Sequence, residues 1–215
     1  MAIRWTQIKY SILFSTILSS PSLRADIASD FHVSLQSHYL WRGFDLNDGK
    51  ATLQGGIDLT SDKGAYIGAW SSQYDFGDND NGIEVDLYAG YGLELNETTS
   101  FDFSITNYQY TGESDSSTEF KIGTTFKFLT LNIHRDIDLK TTYIESLVEY
   151  TLSDSIVFSA RLGRNEDGTD KYYDYGLAMS YSASDNIEIN VAFTDHELGE
   201  VGAESTLSAG ITGYF

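Results

Sequence analysis

The chain has 215 residues, with 32 Asp and Glu against 13 Lys and Arg, for a formal net charge of −19 and an isoelectric point near 4.3. So acidic a surface repels phosphates and argues against nucleic acid as a partner. There is no cysteine, which excludes a disulfide scaffold. The 15 Tyr, 12 Phe and 19 Gly separate the chain from acidic disordered segments, which lack aromatic and β-branched residues.

The first 25 residues read as a separate object. Arg4 and Lys9 open it without an acid, residues 11–20 are mostly apolar, and Pro21-Ser22-Leu23-Arg24-Ala25 ends on a small side chain. That is the order of a secretory signal for Sec export, with one domain expected over 26–215. The apolar run is about half of the ~20 residues that a spanning helix needs, and no later segment approaches that length. Cleavage after Ala25 would leave ten basic residues against 32 acids, a net charge of −22, and would remove Pro21, the only proline.

From Asp30 onward the apolar period is two, the signature of half-buried strands. The runs fall at 31–42, 51–60, 65–76, 83–95, 101–110, 118–128, 130–136, 142–152, 156–163, 172–181, 187–194 and 206–215. Between 118 and 136 the apolar parity switches from Phe126 and Phe128 to Leu129, Leu131 and Ile133. A tight turn near Leu129 gives twelve strands; without it there are ten. Many runs approach the ~9–11 residues of a tilted membrane strand. Short connections (61–64, 96–99, 153–155, 182–186) alternate with mostly longer polar ones (45–50, 77–82, 111–117, 164–171, 195–205). Short turns at one end and long loops at the other are the pattern of an antiparallel transmembrane β-barrel, periplasm against exterior.

The two faces then separate by chemistry. Aromatic residues on the apolar face gather near strand ends. Tyr39, Trp41, Tyr74, Phe76, Tyr173 and Phe193 lie toward the loops; Tyr66, Tyr91, Phe101, Phe126, Phe128, Tyr150 and Tyr181 lie toward the turns. Two such girdles suit the two membrane interfaces. The opposite face carries Arg42, Asp58, Glu84, Asp86, Asp102, Glu119, Lys121, Lys127, Glu145, Glu149, Arg161, Asp174 and Glu188. One unpaired buried charge costs several kcal/mol, so this face must be wet or densely paired. These are the expected pore-lining residues, nine acids against four bases. The chain ends in Phe215, in phase with Leu207, Ala209 and Ile211, like the terminal strand signal that the barrel-assembly machinery reads.

A family resemblance rests on Ser37-His38-Tyr39-Leu40-Trp41-Arg42-Gly43, Leu53-Gln54-Gly55-Gly56-Ile57-Asp58, Gly64-Ala65-Tyr66-Ile67-Gly68-Ala69-Trp70-Ser71-Ser72, Asp75-Phe76-Gly77 and Glu84-Val85-Asp86-Leu87-Tyr88-Ala89-Gly90-Tyr91. Together they resemble the TorF family of exported Gram-negative porin-like proteins. Ala51 stands where that family usually has Pro. The resemblance implies an outer-membrane barrel and, by the family's name, a pore.

Enzyme chemistry finds little purchase. His32 and Ser34 share a strand face, but residues two apart on a strand have side chains ~6.5–7 Å apart, too far for a direct base–nucleophile hydrogen bond. The run Gly77-Asp78-Asn79-Asp80-Asn81-Gly82 has calcium-loop composition but lacks the initial Asp of an EF-hand. No catalytic residue, resident metal or cofactor is assigned. The expectation is a porin-like outer-membrane channel for ions and small solutes that prefers cations. Its environment would be outer-membrane lipid and lipopolysaccharide, whose phosphates could share divalent cations with loop carboxylates. A closed barrel for adhesion or envelope structure, and an outer-membrane lipid hydrolase, are the two alternatives.

Overall fold

The computed structural model describes residues 27–77, 79–197 and 205–215; the signal-like segment, Asp78 and most of the 195–205 connection lie outside them. Every element among the described residues is a strand. Twelve of them are long: β1 (Ile27–Gln36), β4 (Thr52–Ser61), β5 (Ala65–Asp75), β6 (Asn81–Asn96), β7 (Thr99–Tyr110), β8 (Ser117–Phe126), β9 (Leu129–Asp136), β10 (Thr142–Ser153), β11 (Ile156–Glu166), β12 (Lys171–Ser184), β13 (Ile187–Glu197) and β14 (Thr206–Tyr214). Two short ones, β2 (Leu40–Trp41) and β3 (Phe44–Asp45), form a separate hairpin.

The long strands follow one another antiparallel around a closed barrel, and β1 pairs with β4 on one side and β14 on the other. Closure removes the unpaired edges that an open sheet would leave. The parity switch near Leu129 is a two-residue turn: Phe126 pairs with Leu129, and Lys127 turns the chain at φ 57°. The count is therefore twelve, not ten. Lys127 leaves the predicted lumen set, because it sits in this turn with its ammonium over the Phe126 ring.

Short turns (62–64, 97–98, 127–128, 154–155 and 185–186) all lie at the end where both Ile27 and Phe215 are found. Longer connections lie at the other end. For twelve strands ~4.8 Å apart and tilted near 40°, the backbone radius is about 12 Å.

The surface is inside out relative to a soluble protein. Leu162 and Leu177 are 65% and 60% exposed on the outside, in a wall that also presents Ile67, Leu87, Ile122, Ile133 and Leu207. Glu84 and Asp174 are buried inside. Through the middle of the strands alternation places charges inward and hydrocarbon outward, the distribution of a barrel solvated by lipid, while Arg135, Arg164, Lys171 and Asp195 take outward parity only near the loop end.

The girdle assignment divides on this point. Tyr91, Phe126, Phe128, Tyr150 and Tyr181 are exposed on the outside, whereas Phe76 leaves the girdle and packs at the loop end on the inward rings of Tyr74 (4.6 Å) and Tyr110 (5.8 Å). Tyr39, Trp41, Tyr66 and Tyr74 are not membrane-interface residues. Tyr66 and Tyr74 belong to the inward parity of β5, where their hydroxyls find Asp102 (2.9 Å) and Asp80 (3.1 Å). Tyr39 and Trp41 lie beyond the end of β1. The alternating run at 31–42 does not continue as one strand: the chain leaves the wall after Gln36, and residues 37–51 fold into the barrel.

Candidate functional site: a hairpin held in the lumen

The inward segment turns at Arg42 and Gly43, with φ of 47° and 95°. Positive φ at both central residues is what a two-residue hairpin turn with the right twist demands. Glycine is required here for a second reason: a Cβ on Gly43 would lie 2.8 Å from the Cβ atoms of both Asp174 and His196. The hairpin tip therefore packs directly on β12 and β13. His196 Nδ1 meets the Gly43 carbonyl at 3.0 Å, and Phe44 stacks within 4.1 Å of the His196 ring. The base of the segment is tied by Asp45, which accepts from the amides of Tyr39, Asn47 and Gly49, and by Leu46 N–H to Tyr39 carbonyl at 2.7 Å.

Arg42 comes from this hairpin rather than from the outer end of the first strand. Its guanidinium donates two hydrogen bonds to Glu119 at 2.7 and 2.8 Å, and both residues are buried. Both bonds come from Nη2, and the guanidinium carbon lies over the rings of Trp41 (4.3 Å) and Tyr143 (4.2 Å), so charge-assisted hydrogen bonding and cation–π contact act on one group. Glu119 also accepts from Tyr108 (3.1 Å) and meets His134 Nδ1 (2.9 Å). The other His134 nitrogen stands 3.6 Å from Glu145, which accepts from Asn132. Arg161 pairs with Asp174 at 2.7 Å and donates to the Tyr143 hydroxyl, while Lys121 pairs with Asp102 at 2.8 Å.

Lys127 apart, the other twelve of the thirteen predicted lumen residues lie on the inside, in two tiers. Arg42, Glu119, Glu145, Arg161 and Asp174 form one connected network around the hairpin. Glu84 and Asp86 are inward neighbours on β6, with Tyr110 donating to Glu84 and Tyr39 beside both. Toward the turns, Asp102, Lys121 and Glu149 line a cavity of about 420 Å³. Asp58, Asp86, Lys121 and Glu188 line another of about 490 Å³. Leu40 and Trp41 face both cavities, so the hairpin roofs a polar vestibule.

Sequence reasoning missed the tyrosines that cross the wall. Tyr66 pairs with Gly90 and Tyr88 with Gly68 across β5 and β6. Each ring lies over the opposing glycine, whose missing Cβ leaves it room. Tyr66 thereby reaches Asp102 on β7, and Tyr88 reaches Asp58 on β4. Tyr143 repeats the device over Gly163 to reach Asp174. An inward Tyr opposite a Gly was the available signal for Tyr66 and Tyr88; Tyr143 reaches its glycine diagonally, since Gly163 is the partner of Glu145.

Among solved structures, the chain is similar to the KdgM porin in complex with disordered oligogalacturonate, with a TM-score of 0.64 and 14% identity over 87% of this chain and 99% of that one. It is similar to the NanC porin at 0.57 and 10%, over 86% and 99% of the two chains. An outer membrane channel from Pseudomonas putida F1 matches at 0.55 and 11%, over 92% and 99%. At such identities the likeness is one of fold, and the fold is that of outer-membrane porins. No curated protein matches the sequence. A family model described as bacterial protein of unknown function (Gcw_chp) matches residues 25–206, nearly the whole barrel, and the chain therefore belongs to the Gcw_chp family.

Proposed function

We propose that this protein is a porin-like passive channel of the Gram-negative outer membrane, narrowed by its own inward hairpin and selective for cations. One observation carries the reading. Arg42, Lys121 and Arg161 are each ion-paired with an acid, while Asp58, Asp86, Glu149 and Glu188 add further acids along the cavities. The fixed lumen field is negative. A Debye length of ~8–10 Å near physiological salt spans much of so narrow a passage, so cations are enriched and anions excluded. An oligogalacturonate, carried in the KdgM structure, is a polyanion; this lumen favours cations and small neutral solutes instead.

The resemblance to the TorF family supports the same reading. Signal-directed Sec export, recognition of Phe215 by the barrel-assembly machinery, and contact of the outward aromatics with lipid and lipopolysaccharide complete it. Phe215 is 78% exposed beside Phe31, where another protein could read it. The test is the reversal potential of the reconstituted protein in a salt gradient. Cation preference that weakens as salt rises, and falls in the double variant Glu84→Gln/Asp86→Asn, is expected. Anion preference would refute the selectivity and show that Arg42, Lys121 and Arg161 control the constriction.

The buried Arg42–Glu119 pair favours a second reading, a barrel kept closed by its hairpin. In that case the wild type is silent and only hairpin variants conduct.

A further inference from the structure

At the turn end of the lumen, away from the hairpin, β1 and β4 bring together three side chains that no short motif connects. Asp30 and His32 are two apart on the inward face of β1. Asp58 is the direct cross-strand partner of Asp30, and Gly56 is the partner of His32. One ligand atom from each of Asp30, His32 and Asp58 lies within 4.8 Å of the other two. We propose that this trio is a binding site for a divalent transition-metal ion, of which Zn²⁺ is the type. This goes beyond the channel reading and does not depend on it.

Four features argue for a built site. Two carboxylates directly opposite each other across a strand pair repel, and a cation between them reverses the sign of that interaction. Gly56 lets the imidazole lie down toward Asp58: a Cβ there would sit 2.7 Å from His32 Cε1 and 3.2 Å from Nε2. Tyr88, reaching over Gly68, donates its hydroxyl to Asp58 Oδ1. That orients the carboxylate and leaves Oδ2 for an ion, as outer hydrogen bonds commonly do for metal ligands. All three ligands are half-buried and line the cavity of about 490 Å³, so an ion can enter and keep water in its remaining positions.

The donor set selects the metal. One imidazole nitrogen with two carboxylate oxygens matches Zn²⁺, bound at about 2.0–2.2 Å with an open position for water. Ca²⁺ and Mg²⁺ prefer all-oxygen shells. Tetrahedral binding at those lengths needs ligand atoms roughly 3.3 Å apart, so an ion would draw the three ligand atoms together from a spacing of up to 4.8 Å. No fixed spacing along the chain marks these ligands, because they converge only through strand pairing.

The test is calorimetric titration of the folded, chelator-stripped protein in detergent, made without a histidine tag, with Zn²⁺ alone. One equivalent should bind per chain. His32→Ala and Asp58→Asn should each weaken binding at least tenfold, while Asp115→Asn, in an exterior loop, should leave it unchanged. Tyr88→Phe keeps all three ligands and should weaken binding about tenfold while retaining the one-to-one stoichiometry. Heat-modifiable gel mobility verifies that each variant is folded, and should His32→Ala not assemble, the Asp58→Asn and Tyr88→Phe results decide. Absence of stoichiometric binding in the wild type would overturn the site, as would binding by the folded variants equal to it.

Discussion

Gly68 and Tyr88 show how a single missing methyl group can organise the lumen. A Cβ on Gly68 would stand 2.4 Å from both Cζ and the hydroxyl oxygen of Tyr88, so Gly68→Ala must push the ring off its path to Asp58. Overpacking of this kind costs about 1–3 kcal/mol. The cost should shrink when Tyr88→Ala is already present, since the clash and its partner vanish together. Unfolding midpoints of the two singles and the double in urea check this. Equal cost in both backgrounds would show that Gly68 is needed for backbone reasons instead. The charged residues of the lumen were legible because a charge is tolerated on only one face of a lipid-solvated strand. Tyr66 and Tyr74 were not. In β5 the outward face carries Ile67 and Ala69 while the inward face carries Tyr66, Trp70 and Tyr74, so hydropathy does not distinguish the two. Amphipathic rings suit a hydrogen-bonded interior as well as a membrane interface.

Connections between elements show the same division. The alternation of short turns and longer loops was readable from composition. What the 37–51 segment does was not, because Ser37 to Arg42 continues the strand alternation and only Arg42-Gly43 marks a reversal. The decisive partner, Glu119, is 77 residues away. At the loop end, Asp80 ties two connections together. It accepts from the Glu113 amide (2.9 Å), the Ser114 hydroxyl and the Tyr74 hydroxyl, which in turn accepts from the Gly112 amide. The Ser114 hydroxyl, with these other donors, holds the Asp80 carboxyl below the usual aspartate range. A carboxyl lowered by folding stabilises the folded loops above its unfolded value and loses that contribution as pH falls through the lowered one. The 111–116 loop should therefore be docked at neutral pH and released in acid. Hydrogen exchange at Glu113 and Ser114, corrected for intrinsic rates, should show protection at neutral pH that collapses below the ordinary aspartate range, about 3.9. Asp80→Asn should lack that acid step. An identical step in Asp80→Asn would assign the loop contact to other groups.

For the whole molecule, closure of twelve strands was legible from strand rhythm, termini at one end and the inverted distribution of charge. Whether the barrel conducts depends on how far one hairpin fills a lumen of about 12 Å backbone radius, and that is a matter of long-range pairing. The hairpin tip is held by the Arg42–Glu119 pair against Trp41 and Tyr143 together with the packing of Gly43 and Phe44 on His196. Breaking a buried pair by removing one partner costs about 3–5 kcal/mol, enough to free the tip without touching the wall, whose strands pair independently of it. Single-channel recording in planar bilayers, comparing the wild type with Arg42→Ala, therefore addresses the account most directly. Small discrete conductance steps in the wild type and several-fold larger ones in Arg42→Ala are the predicted result. Silence from both proteins, with heat-modifiable mobility showing each barrel intact, would contradict a channel constricted by its own hairpin.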